Sequence, residues 1–226
     1  MGDVTAPISC PASRFYGVAK RVIDLLAVLV LMPILAPLML LIGVLIRLGS
    51  PGPAIFRQER AGKAGRPFIC YKFRTMRADT DPYGPSPHSG DDPRITRIGR
   101  WLRETSLDEL PQLFNILQGQ MSLVGPRPLY VRQARQWNQR QRRRLEVKPG
   151  LTGLAQIFGR GDLTIEDKLE LDVQYVEQAG LGMDLWILWK TALSLFRRQG
   201  IYEKRYSRQA EVEPEASSRK QEQPRP

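Results

Sequence analysis

The chain has 226 residues and a formal net charge of +11, with 34 Lys and Arg against 23 Asp and Glu. That length holds one domain of ordinary size plus a membrane element, and the charge favours anionic partners such as nucleic acid, a phospholipid surface or phosphorylated substrates. One histidine, His88, and two cysteines, Cys10 and Cys70, exclude a multi-histidine metal site, a Ser–His catalytic pair and a disulfide framework.

Residues 1–19 read as an N-terminal segment and 20–49 as a membrane element. Positions 25–46 contain no charged residue; as a helix they would extend ~33 Å, enough to cross a bilayer core. The run exceeds a signal-peptide core of about 7–15 residues. Pro33 and Pro37 lie one turn apart in its middle. Each removes a backbone donor and crowds the carbonyl four residues earlier, which predicts a kink. Arg14, Lys20 and Arg21 precede the run, and Arg47, Arg57 and Arg60 follow it. These flanks lack the asymmetry of a spanning helix. Two readings stand on this evidence: a plain span, and a bent helix that enters one leaflet and returns.

Residues 50–206 form the predicted cytoplasmic domain. Strands are predicted over 54–59 and 67–76, joined by the turn 61–65. In the second strand Ile69, Tyr71, Phe73 and Thr75 share one face, and Lys72 and Arg74 the other. The charged face is either solvated or a two-cation clamp for a diphosphate. Residues 79–93 are rich in Pro, Gly, Ser and Asp and read as a loop, a candidate lid, with His88 solvated in it. Arg94, Arg97, Arg100 and Arg103 recur every three residues, predicting an arginine-lined helix side that converges on the next stretch.

That stretch is Thr105-Ser106-Leu107-Asp108-Glu109-Leu110-Pro111. Ser106 and Glu109 have the spacing of a capping box. Acidic residues suit the positive end of a helix dipole, and Pro111 suits a first turn. Capping alone explains the two carboxylates as well as catalysis does.

Gly125-Pro126-Arg127-Pro128 reads as a rigid turn presenting one arginine, a residue matched to phosphate by forked hydrogen bonds. Residues 129–145 predict one basic helix, with Arg132, Arg135, Arg140, Arg142, Arg143 and Arg144 mostly solvated and some facing anionic headgroups. The Gly-rich segment 149–161 suits a nucleotide pocket but lacks the P-loop ending. Residues 163–179 read as a helix. Residues 183–198 read as an amphipathic one, with Leu185, Leu188, Trp189, Ala192 and Phe196 on one face and Lys190, Arg197 and Arg198 elsewhere. That face either packs on the core or lies in the membrane interface, which Trp186 and Trp189 suit. Residues 207–226 read as a disordered tail. Charge alone also admits a membrane-tethered basic nucleic-acid-binding module, although the chain carries no recognition helix, zinc spacing or aromatic sheet signature.

Four motifs in order, Tyr71-Lys72-Phe73-Arg74-Thr75-Met76, Thr105 to Asn115, Met121-Ser122-Leu123-Val124-Gly125-Pro126-Arg127-Pro128 and Val147-Lys148-Pro149-Gly150-Leu151-Thr152-Gly153, resemble the bacterial sugar transferase family, the monotopic phosphoglycosyl transferases. The resemblance runs from about residue 20 to about residue 196 and favours catalysis over capping. It implies an α+β, mostly helical fold with a re-entrant N-terminal membrane helix, a small β-hairpin or sheet and interfacial amphipathic helices. It also implies transfer of a sugar-1-phosphate from a UDP-sugar to a polyprenol phosphate, with release of UMP, on the cytoplasmic face of the bacterial inner membrane. Asp108 matches the nucleophile that takes the phosphosugar covalently, and Glu109 its neighbour; together they would hold Mg²⁺. Lys72, Arg74 and Arg127 fall in motifs for phosphate and nucleotide binding. Arg103, Pro126, Pro128, Gln156 and Asp172 complete the substrate-binding candidates. The family often has Ser-Pro at the membrane bend. Ala36-Pro37 stands here, so the bend rests on Pro37 with Pro33. UDP-sugar, polyprenol phosphate and membrane lipids are the expected partners; a homodimer stays open and nucleic acid is not expected.

The chemistry fits these residue types. A diphosphate repels a carboxylate nucleophile, so attack needs neutralisation by Mg²⁺ and nearby Lys or Arg. A covalent intermediate splits one transfer into two steps.

Overall fold

The computed structural model describes residues 14–84 and 86–195. The expectations for residues 1–13, including Cys10, for Phe196, Arg197 and Arg198, and for the tail at 207–226 lie outside the described residues.

The order of elements is α1 (Arg14–Gly49), β1 (Ile55–Ala61), β2 (Pro67–Phe73), α2 (Arg97–Glu104), α3 (Gln112–Leu117), β3 (Ser122–Val124), α4 (Val131–Ala134), α5 (Gln139–Arg142), β4 (Gly150–Thr152), α6 (Leu154–Phe158), α7 (Ile165–Glu177) and α8 (Leu181–Leu195). Short 3₁₀ turns sit between some of them. The architecture is mostly helical, with two small two-stranded sheets: β1 antiparallel to β2, and β3 parallel to β4.

Among the described residues α1 is the one helix long and apolar enough to cross a membrane. It continues as helix through Pro33, Ala36 and Pro37. One stripe of it is buried against the domain. Val28 joins Phe68, Cys70, Leu113, Ile116 and Met121; Met39, Ile42 and Ile46 join Phe73 and Leu102. Spacings of three and four residues put these side chains on one face. The opposite face exposes Leu26, Leu29, Val30, Ile34, Leu40, Leu41 and Val44, an apolar surface far larger than a water-facing helix carries. Polar bonds fix the start of α1. Arg21 donates to the carbonyls of Ile116 (2.5 Å) and Leu117 (2.9 Å), satisfying the end of α3. Asp24 accepts the Leu123 N–H at 3.0 Å. Lys20 meets Asp184 of α8 at 2.6 Å.

Two expectations are corrected. First, β2 ends at Phe73 rather than running to residue 76, and the side of Phe68, Cys70 and Lys72 is turned inward, while on the other side Ile69 is 42% exposed and Phe73, at the strand end, is buried. The charged face is therefore not a solvated one. Pairing with β1, which places Cys70 opposite Gln58 and Lys72 opposite Phe56, sets that orientation. Second, the single basic helix over 129–145 is broken into α4, α5 and the 3₁₀ turn Arg143–Glu146. Asn138 and Gln141 form a capping box that starts a new helix, and Trp137 turns into the interior. On α8, where two readings stood, Asp184 and Ile187 are buried and Leu188 packs against the core, whereas Leu185, Trp186, Trp189 and Leu193 face outward, with Phe158 beside Trp186.

Candidate active site

α2 ends at Glu104, and Ser106 then takes a left-handed conformation, φ 58°. This reverses the chain into the 3₁₀ turn Leu107–Glu109, after which Pro111 precedes α3. An N-cap needs an extended backbone, so the Ser106–Glu109 capping box does not form, and the Ser106 side chain makes no cap bond. A non-glycine residue in this region costs about 1 kcal/mol or more. Leu107 and Leu110 pack into the core beneath and hold the turn so that its carboxylates meet β2.

The two carboxylates have different surroundings. Glu109 Oε1 accepts from Lys72 Nζ at 2.8 Å and from Arg127 Nη2 at 2.9 Å. Burial works against its charge, but Arg127 and then Lys72 override that and hold it well below the usual carboxylate range. Arg127 in turn is held more firmly charged by Glu109. Asp108, by contrast, makes no hydrogen bond or ion pair with any described residue. Burial, opposed by Lys72 and reinforced by the charge of Glu109, pushes it up to about 6. One carboxylate is thus bound and ionised; its neighbour is free and proton-hungry.

Beside them lies a small cleft lined by Arg60, Cys70, Lys72, Gln112, Arg127 and Pro128. Arg60 stacks 3.9 Å from the Tyr130 ring centroid and donates to Gln58 Oε1 at 2.5 Å. The sequence reading missed Arg60, Cys70 and Gln112 as site residues. The alternation of Gln58 and Arg60 along β1 was the available signal. A close crossing of backbones builds the arginine turn. A Cβ on Gly150 would sit 2.1 Å from the Gly125 nitrogen, and the Gly150 N–H donates to the Pro126 carbonyl at 2.9 Å. Gly125, Pro126 and Pro128 are buried while Arg127 reaches out.

Several candidates lie elsewhere. Arg74 is buried and donates to the carbonyls of Pro51 (2.5 Å) and Ser50 (2.8 Å), so it pins the exit of α1 and only Lys72 is left of the two-cation clamp. Arg103 donates to Thr75 Oγ1 at 2.9 Å and favours the charged form of Asp108. The other arginines of the series do not converge there: Arg100 pairs with Asp91 and Arg94, ahead of α2, with Asp92, and Arg97 is exposed. Asp172 does not face the cleft. Its side chain is 2% exposed and is bound by Arg144 at 2.6 Å. Gln156 is not among the cleft-lining residues, and its amide nitrogen and oxygen are buried without a partner among the described residues.

No three His, Cys, Asp or Glu residues converge among the described residues. The donors at the turn are two carboxylates, which suits Mg²⁺, a hard cation that takes one or two carboxylates and completes its shell with water and substrate phosphates. The raised proton affinity of Asp108 is what a cation there would reverse.

The family model described as bacterial sugar transferase matches residues 15–198. The chain is 44% identical over 192 residues to the UDP-glucose:undecaprenyl-phosphate glucose-1-phosphate transferase of Caulobacter vibrioides, covering 81% of this chain and 72% of that protein. It is 43% identical over 184 residues to the uncharacterized sugar transferase EpsL of Bacillus subtilis, covering 81% and 90%. It is 39% identical over 206 residues to the undecaprenyl-phosphate galactose phosphotransferase of Salmonella typhimurium, covering 84% of this chain but 42% of that longer protein. With that match over most of its length, and with the paired carboxylates set among basic side chains, the chain belongs to the bacterial sugar transferase family.

Proposed function

We propose that this protein transfers a sugar-1-phosphate from a UDP-sugar to undecaprenyl or another polyprenol phosphate, through a covalent intermediate on Asp108. The observation that carries the reading is the division between adjacent carboxylates: Glu109 is locked by Lys72 and Arg127, while Asp108 is unbonded. A locked carboxylate organises cations; an unbonded one is available to attack.

In the first step an Asp108 oxygen forms a bond to the sugar-bearing phosphorus. The bond from that phosphorus to the bridging oxygen breaks, and UMP leaves with the electron pair. Lys72 and Arg127 lie where negative charge gathers, and preorganised cations in a partly dry cleft stabilise such a transition state strongly. In the second step a phosphate oxygen of the lipid attacks the same phosphorus. The acyl-phosphate bond breaks and Asp108 returns as a carboxylate, so neither step consumes a proton overall. UMP departs before the lipid phosphate arrives, so one small cleft serves both. Asp108 and Glu109 would hold Mg²⁺, which supplies Lewis-acid neutralisation of the diphosphate when bound.

The setting supports a reaction at the lipid boundary, which we place on the cytoplasmic face. Both the start of α1, through Lys20, Arg21 and Asp24, and its end, through Ile46, pack on the same domain. That arrangement favours a re-entrant anchor over a span. The outward Leu185, Trp186 and Trp189 of α8 suit the interface. The relatives' glucose and galactose names make UDP-glucose and UDP-galactose the first donors to try, within a panel of UDP-sugars.

The test is to incubate the membrane-embedded protein with phosphorus-labelled donor and Mg²⁺ but no lipid acceptor. UMP should appear stoichiometrically, with the labelled phosphosugar on the peptide containing Asp108. Turnover with lipid acceptor but no trappable adduct would overturn the covalent route.

A further inference from the structure

The buried pair Arg144 and Asp172 lies behind the cleft and takes no direct part in the chemistry above. Arg144 donates through Nε and Nη2 to Asp172 Oδ2 at 3.0 and 2.6 Å, and through Nη2 to the main-chain carbonyl of Arg127 at 2.5 Å. Its guanidinium lies 4.6 Å from the Trp137 ring centroid. Both side chains of the pair are 2% exposed. One helix turn on, the Tyr175 hydroxyl donates to Asp184 Oδ1 at 2.7 Å and lies 3.3 Å from the Val124 carbonyl. Asp172 and Tyr175 are three residues apart on α7 and so share a face. That face meets the turn 124–128 at two places, with the Tyr175 hydroxyl beside Val124 and through the Arg144 bond to Arg127.

Burying an ion pair is a poor way to gain stability, because desolvation offsets the attraction. What a guanidinium does offer is a rigid planar fork whose bonds fix positions. Here the fork is closed by Asp172 and by Trp137, and its remaining reach goes to one atom, the Arg127 carbonyl. The arginine turn is held on its other side by the Gly150 N–H on the Pro126 carbonyl. With its main chain fixed from both sides, the Arg127 guanidinium reaches Glu109 at 2.9 Å.

We infer that Arg144, held by Asp172, is a positioning residue for the transfer reaction: it sets the main chain of Arg127 so that the Arg127 guanidinium meets Glu109 and the donor diphosphate. This rests on the reaction proposed above. It also assigns Asp172 a role through Arg144 and Arg127 rather than by contact with substrate.

The experiment is a double-mutant cycle between Arg144→Lys and Arg127→Ala in the full-length, membrane-embedded protein. UMP release from a UDP-sugar with Mg²⁺ is measured at low and saturating donor, and thermal unfolding is followed alongside. Lysine keeps the charge but cannot span both partners. Misplacement of a positioned group by about 1 Å costs about 100-fold, so Arg144→Lys should slow UMP release by about 10–100-fold. In the Arg127→Ala background it should slow it no further, since coupled residues are not additive. Equal losses in both backgrounds, or a normal rate in Arg144→Lys, would overturn the inference. Should Arg144→Lys fail to fold, Asp172→Glu takes its place in the cycle, because it keeps the ion pair and moves it by one methylene. Failure of the underlying reading is separately visible: the wild-type protein would then release no UMP from any donor.

Discussion

Replacing Asp108 by asparagine should make the protein more stable and inactive at once. Asp108 has its proton affinity raised from 3.8 to about 6, chiefly by burial. Each unit is worth about 1.36 kcal/mol, so keeping the side chain ionised costs the fold at most about 3 kcal/mol at neutral pH. Asp108 is partly exposed, and water there reduces the figure to about 1–2 kcal/mol. The sign follows from linkage. Below about pH 4 Asp108 is protonated in both folded and unfolded chains and carries no penalty; the penalty grows between about pH 4 and 6 and is complete above. Asp108→Asn removes it, so the melting temperature at about pH 7.5 should rise by roughly 2–8 °C, and the gain should vanish near pH 4. Tryptophan fluorescence on the detergent-solubilised proteins reads both, and UMP release measured in parallel should be abolished. A variant that melts at or below the wild type at neutral pH, or whose gain persists at pH 4, would refute the electrostatic account of this side chain.

Three other outcomes are expected. UMP release under single-turnover conditions with Mg²⁺ should fall about tenfold per pH unit once Asp108 is protonated, and should do so below about pH 6, because a bound cation works against the raised proton affinity of the metal-free carboxylate; a rate that rises as the pH is lowered would contradict an ionised nucleophile. Glu109→Gln loosens Lys72 and Arg127 together and should lower turnover by about 100-fold or more, and EDTA should stop the wild-type reaction, whereas full activity without divalent cation would remove Mg²⁺ from the scheme. Gly150→Ala forces a methyl to within 2.1 Å of the Gly125 nitrogen and should destabilise by about 3 kcal/mol, at the upper end of overpacking costs; a melting curve unchanged from wild type would show that the crossing is looser than described.

The parts of this site that a reader of the sequence finds are those carried by contiguous motifs. Asp108 and Glu109 stand side by side, and Lys72 and Arg127 sit in short stretches whose neighbours leave few conformations. The missed or misassigned residues depend on what the chain meets after folding. Arg60 and Arg144 look like the other surface arginines in one dimension; only Tyr130 and Asp172, distant in sequence, and Trp137, which the chain folds back against Arg144, set them apart. Arg74 shares a strand pattern with Lys72, yet β2 ends between them and Arg74 turns to the carbonyls at the exit of α1. The inward side of β2 is equally a tertiary decision, because Phe68 and Cys70 find α1 and α3 beneath them, whereas Ile69, no less apolar, finds nothing. On α8 an amphipathic pattern was plain, but two environments welcome such a stripe, a protein core and a lipid boundary. Asp184, bonded to Lys20, Tyr16 and Tyr175, anchors the helix by its other side.

The shared oxygen of Glu109 has one more consequence. Because it already sits between two positive side chains, the cleft is never a bare cationic trap between turnovers. A visiting anion meets side chains whose charge is already partly answered, and a chloride or a lone inorganic phosphate gains little there. A diphosphate brings two charged groups and can reach the remaining N–H donors of both partners together, so the same side chain that orders the pocket also screens its visitors.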